Sequence, residues 1–170
     1  MQIRSERPND IPGIHAVNRA AFESPTEANL VDALRIHAED VLSLVASDDD
    51  NDDGVIGHIL FSPVTHTGAA TLRAMGLAPM AVPPERQRMG IGSALVRAGL
   101  EECRRRGVEA VFVVGHPEYY PRFGFTRASH FGITCEFEVP DDVFMALELV
   151  EGSLRGKAGV VHFHEAFRAS

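Results

Sequence analysis

The sequence predicts an α/β fold of the α+β kind, in which strands pair early as a meander and helices are inserted among them. Three observations predict it. Short β-branched or apolar runs recur at residues 41–46, 55–61 and 108–114. Segments with apolar residues at helical spacing lie before and between them. No internal repeat, low-complexity tail or long linker divides the 170 residues, so residues 1–170 are expected to form a single domain with a substantial core.

In chain order, residues 2–4 read as a short edge strand leading to Pro8. Asp10 is the expected N-cap of a first helix carrying Ile11, Ile14, Val17 and Ala21 on one face. Ser24-Pro25-Thr26-Glu27 reads as a stronger helix start, with Ser24 as cap and Glu27 closing a capping box ahead of Leu30, Val31 and Leu34. The acidic run between the next two strands, residues 47–54, reads as a solvated hairpin loop. Pro79 cannot donate to a ladder, so the strand around residues 75–82 is expected to carry a bulge or a locally unpaired edge. Ile91, Leu95, Ala98 and Cys103 mark one face of a further helix, which Gly107 ends. Residues 115–125 are expected to hold one short helical turn and a tight turn at Gly124, with late strands near residues 144–149 and 160–164.

Hydrophobic residues make up 45% of the chain and charged residues 24%, with a formal net charge of −8. That balance argues against a nucleic-acid partner, which leaves a basic footprint, and is compatible with a cationic amine as substrate. The two cysteines, Cys103 and Cys135, show no metal-like spacing or disulfide framework. The N-terminus has no apolar signal core and no run approaches a membrane span, so a cytoplasmic protein without a membrane partner is expected. His162 and His164 alternate on an expected strand, without a third ligand at metal spacing.

The segment ERQRMGIGSALV, residues 85–96, poses the functional question. It lacks the lysine of a Walker loop and the third glycine of a dinucleotide fingerprint. What remains is a strand, a glycine-containing turn and a helix N-terminus, an arrangement that favours anions, with Arg86 and Arg88 adding charge. From the loop alone, a phosphate cradle and a plain turn remain equally open.

A second segment changes this. Gln87-x-x-Gly90-x-Gly92 resembles the acetyl-CoA signature of the GCN5-related N-acetyltransferases, and Tyr120-x-x-Phe123-Gly124-Phe125 resembles that family's next motif. The closing residues 159–167 resemble the ending of the YhbS-like bacterial subgroup. The resemblance spans the chain. It implies a single N-acetyltransferase domain with a motif core at about 71–127 and a C-terminal strand segment at about 141–168. It also implies a mixed, mostly antiparallel central sheet flanked by helices, with a splayed strand pair that admits acyl-CoA. By the same resemblance, the main chain of Gln87, Arg88, Met89, Gly90, Ile91 and Gly92 holds the pyrophosphate, Ser93 opens the helix, and the backbone of Met80, Ala81 and Val82 hydrogen-bonds the pantetheine amides.

The implied reaction is transfer of an acetyl group from acetyl-CoA to a primary amine by direct attack, a small molecule in preference to a protein amine. The resemblance makes Tyr120 the proton donor to the leaving sulfur, with Tyr119 fitting the motif spacing less well. No carboxylate occupies residues 73–78, so the general base stays open among His116, a bound water and an amine that arrives neutral. Glu27 is a candidate substrate residue whose capping role is sufficient explanation for it. The alternative function is a catalytically inert acyl-CoA-binding sensor or interaction module. A homodimer is possible through pairing or exchange of the last strands.

Overall fold

The computed structural model describes residues 1–48 and 51–168, with the backbone alone for 51–53. In chain order it forms β1 (Gln2–Ser5), α1 (Ile11–Ala21), α2 (Thr26–His37), β2 (Leu42–Asp48), β3 (Asn51–His66), β4 (Ala74–Ala81), α3 (Ile91–Arg105), β5 (Ala110–Val114), β6 (Thr126–Arg127), β7 (Ile133–Cys135), β8 (Phe144–Glu148) and β9 (Gly159–His162), with short 3-10 turns between them.

Alternation along the early strands dictates the layers. Leu42, Leu44 and Ala46 of β2, with Ile59 and Phe61 of β3, point to one face, where Ile91, Leu95, Leu100 and Cys103 of α3 cover them. Val45 and Leu60 point to the other, beneath Ile14 of α1 and Leu30, Val31 and Leu34 of α2. The strand order is β1-β2-β3-β4-β5-β8-β6. The first four strands pair antiparallel in sequence, as the expected meander. β4 and β5 are parallel, because α3 crosses between them, and β8 returns antiparallel on β5. β9 pairs with β7 and with the far end of β3, closing a second core around Phe112, Phe144 and Phe163. The sheet is therefore mixed and mostly antiparallel with helices on both faces. No helix among the described residues is long and apolar enough to cross a membrane.

Several local expectations need correction. Asp10 takes the N-cap position of α1, as expected, but its side chain makes no capping bond there. Its carboxylate accepts from both Nη groups of Arg4 at 2.7 and 3.0 Å and from the Arg7 amide at 2.7 Å, which turns it away from the helix. The capping box at α2 does not form: Ser24 Oγ accepts from the Thr26 amide at 3.3 Å, and α2 has no side-chain cap. In the acidic run, Asp49 and Asp50 lie outside the described residues, and the strands on either side reach further towards them than expected. β9 ends at His162, whose Nδ1 lies 2.6 Å from Glu136, while His164 instead caps the last 3-10 turn by accepting from the Ala166 amide at 3.0 Å. Among the described residues no group of three or more His, Cys, Asp or Glu side chains is gathered at metal-binding distance.

The face beneath α1 and α2 carries a polar chain that the sequence did not announce. Arg35 grips Glu6 through Nε and Nη2 at 2.7 and 2.9 Å. Ser43 Oγ donates to Glu6 at 2.7 Å and lies 2.9 Å from His58 Nε2, and the Asn18 amide lies 3.3 Å from His58 Nδ1. Ser43 has one proton and gives it to Glu6, so His58 must donate through Nε2–H and keep a bare lone pair at Nδ1 for Asn18. Burial and the Arg35 charge, partly opposed by Glu6, push the His58 imidazole down to about 4.

This fixes a pH signature. Between pH ~6.5 and ~4 the unfolded imidazole takes a proton that folded His58 refuses, so stability rises with pH across that window and is lost as pH falls through it. The loss is roughly 3 kcal/mol, at 1.36 kcal/mol per pKa unit. Glu6 and Asp10, both held below the usual carboxylate range, extend the loss to more acid pH. Denaturant titrations from pH 7 to 4 should show this slope, and His58→Gln should flatten it; an unchanged slope in the variant would remove His58 as its source.

Candidate active site

β4 and β5 pair at Ala74–Ala110, Met75–Val111 and Gly76–Phe112, and there the pairing stops. β4 runs on to Ala81 and β5 to Val114 without each other. The expected bulge is present on the β3 side of the same stretch, where the register jumps from Phe61–Leu77 to Ile59–Met80 and so accommodates Pro79. Beyond β4 the chain passes through a short turn at Pro84–Arg86 and reaches Gly90, whose φ of +84° is a left-handed conformation suited to glycine. α3 begins immediately after it. The amides of its first turn have no acceptor within the helix and sit at the positive end of its dipole. Gln87 Nε2 donates to the Val82 carbonyl at 2.9 Å, and Arg86 pairs with Asp48 at 3.2 Å, so the loop is tied to β4 and to β2.

A cleft of about 640 Å³ opens at this junction. Of the residues expected from sequence, Met80, Val82, Gln87, Arg88, Gly90, Ile91, Gly92, Ser93 and His116 line it. Ala81 is not in the lining: it is fully buried opposite His58 in the β3–β4 ladder, and the role expected of it is a backbone one. Met89 turns outward and is 64% exposed. Glu27 lies in the first turn of α2, outside the lining. The lining also includes Ala21 and Phe22 at the end of α1, Arg86, Tyr119 and Arg122. Arg122 lies within the Tyr120–Phe125 motif, so its position was open to reading; Ala21 and Phe22 carry no local signal.

The two tyrosines differ in how they meet the cleft. Tyr119, the lesser candidate, lines the cleft, and its hydroxyl is 2.9 Å from Ser93 Oγ at the start of α3. Tyr120 is not in the lining and is only 7% exposed. Its ring meets Tyr119 and Phe125 edge-on at 5.1 and 5.7 Å and lies against Gly115, where any Cβ would collide with it. Burial, and next the Tyr119 hydroxyl, push the Tyr120 phenol up to about 12. Its hydroxyl makes no hydrogen bond among the described residues. Cys103 is buried on the inner face of α3, its thiol pushed up to about 12 by burial, with its Sγ against Met75 Sδ, so it is a core residue.

A sequence profile of the Acetyltransferase (GNAT) family matches residues 11–125. The chain belongs to the GNAT family. It is 40% identical over 167 residues to the uncharacterized N-acetyltransferase YhbS of Escherichia coli strain K12, covering 98% of each chain. Its fold matches the crystal structure of E. coli YhbS in complex with CoA at a TM-score of 0.91 and 39% identity, over 98% of this chain and 91% of that one. It also matches a GNAT family acetyltransferase from Brucella melitensis in complex with acetyl-CoA, at a TM-score of 0.79 and 37% identity, over 98% and 97%. The GNAT sheet with its flanking helices, and an acyltransferase of the N-acetyltransferase type, are thereby established.

In this GNAT chain the Ser93–Tyr119 bond joins the helix side of the cleft to the turn that follows β5. A hydrogen bond of this kind contributes about 1 kcal/mol net. A double-mutant cycle of Ser93→Ala and Tyr119→Phe should give a coupling free energy near that value in denaturant unfolding. Strictly additive effects would show that the two hydroxyls do not interact in solution.

Proposed function

We propose that this protein transfers the acetyl group of acetyl-CoA to a primary amine by direct attack, with a small molecule as acceptor. The observation that carries the reading is the place where β4 leaves β5 beside the first turn of α3. An extended chain can lie in the gap, and a pyrophosphate can meet the free amides of Ile91, Gly92 and Ser93. Acceptor entry past Ala21 and Phe22 suits a small molecule.

Acetyl-CoA supplies an activated thioester carbonyl. The protein supplies orientation of the amine, and a backbone N–H near Met80 is assigned to the developing oxyanion. Among the described residues lining the cleft, the bases are three arginines, which stay charged, and His116, to which we assign the amine's proton. Tyr120 is assigned to the leaving sulfur. Its burial keeps it protonated, and its unused hydroxyl is available as a donor. A free thiol titrates at about 8.5, so complete transfer from a phenol near 12 is uphill. Tyr120 therefore stabilises the thiolate by a hydrogen bond, and solvent completes the protonation.

Acetyl-CoA at a hundredfold excess over Kd should raise Tm by about 5–10 °C. Gly90→Glu, which puts bulk and negative charge at the helix start, should abolish that shift; no shift in the parent protein would sink the cofactor assignment. In an amine-panel screen that follows release of free CoA, Tyr120→Phe should lower turnover about 100-fold while acetyl-CoA binding persists. If no amine supports turnover and Tyr120→Phe binds acetyl-CoA like the parent, the inert acyl-CoA-binding module is the better reading.

A further inference from the structure

The cleft holds more positive charge than a pyrophosphate on a helix N-terminus requires. Three arginines line it in a chain whose formal charge is −8. Arg86 is committed to Asp48. The other two are not neutralised. Arg88 makes no ion pair or hydrogen bond among the described residues, and its φ of +65° is a left-handed conformation that a non-glycine residue adopts at some cost. Arg122 is held from behind. Its Nε donates to the Tyr119 carbonyl at 3.0 Å and its guanidinium carbon stands 4.5 Å over the Tyr119 ring. Both of its Nη groups are without a hydrogen bond among the described residues. Tyr119 is anchored in turn to Ser93 at the start of α3. The result is a guanidinium fork fixed in orientation, in the same cleft as the helix amides but on a different chain segment.

The chemistry of the cofactor matches two separate anion sites. Its pyrophosphate shares its charge between two linked groups and suits backbone amides and a helix dipole. Its 3′-phosphate is a monoester that approaches two negative charges at neutral pH, and a planar fork with two free N–H pairs is the side chain that recognises such a group best. Resting on the acetyl-CoA reading above, we propose that Arg122, oriented by Tyr119 and assisted by Arg88, binds the 3′-phosphate and makes the protein select CoA thioesters over their 3′-dephospho forms. Arg122 is thus a specificity residue, separate from the groups assigned to acetyl transfer.

Calorimetric titration of the intact protein with CoA and with 3′-dephospho-CoA tests this. The parent protein should prefer CoA by at least about 10-fold, the ratio expected from one charge-assisted pair. Arg122→Ala should weaken CoA while leaving dephospho-CoA within about threefold, so that the ratio collapses towards one; Arg88→Ala should reduce it in part, and Arg122→Lys should retain some of it because the charge remains. The preference should also shrink as salt is raised. Equal binding of the two ligands by the parent protein would overturn the assignment. So would an Arg122→Ala variant that weakens both ligands alike, since that pattern belongs to a residue acting on the pyrophosphate or merely supporting Tyr119. Failure of both ligands to bind would remove the acetyl-CoA reading along with it, an outcome distinct from equal binding.

Discussion

Two parallel strands that diverge leave backbone N–H and C=O groups facing a gap, and buried groups of that kind are costly unless something pairs with them. β4 and β5 do this after Gly76 and Phe112, and much of the surrounding architecture serves that divergence. β4 is supported on its other side by β3, through a bulge that accommodates Pro79. β5 is supported by β8 along its whole length, from Ala110–Glu148 to Val114–Phe144. Each strand is therefore held by a neighbour, and the gap can stay open without loss of the sheet. α3 crosses between the two strands, so its N-terminus falls at the mouth of the gap that its own connection spans.

The opposite face of the sheet secures the frame. The Arg35–Glu6–Ser43–His58–Asn18 chain ties α2, the segment after β1, β2, β3 and α1 together through side chains. Polar contacts specify geometry more sharply than apolar packing, and each one leaves a costly group unpaired if it slips. Asn18 sits one turn before Phe22, whose amide bonds the Asn18 carbonyl at 3.2 Å. The same chain that keeps His58 neutral therefore also fixes the end of α1, where Ala21 and Phe22 meet the cleft.

Local chemistry was legible in the sequence wherever a single residue type decides a backbone conformation. Gly90 and Gly124 take the left-handed conformations that their motifs implied, and Gly107 follows the last turn of α3 in the same way. Pro79 was readable as an irregularity for the same reason. Helix caps were less legible, because Asp10 and Ser24 each had a competing partner that propensity does not see: Arg4 across a turn in one case, the neighbouring Thr26 amide in the other. Which of the two tyrosine rings lines the cleft was not legible, since one residue in a 3-10 turn rotates a ring by a third of a circle, and here Tyr119 lines the cleft while Tyr120 is buried behind it. The polar chain was illegible because its bonded partners lie as much as 40 positions apart, and a lone histidine in a strand gives no sign of what will cover it.

The sheet's outer strands have a consequence for how the molecule behaves in a crowded solution. At one end of the main sheet stands β6, two residues long with Thr126 and Arg127 both exposed; at the other stands β1, with four. Short strands offer little template for a foreign chain to add to, and a charged side chain at such an end opposes it further. The interior opening between β4 and β5, where their pairing stops after Gly76 and Phe112, lies beside the first turn of α3. The backbone groups that β4 and β5 withhold from each other thus lie inside the sheet, away from the outer edges where a foreign strand would add.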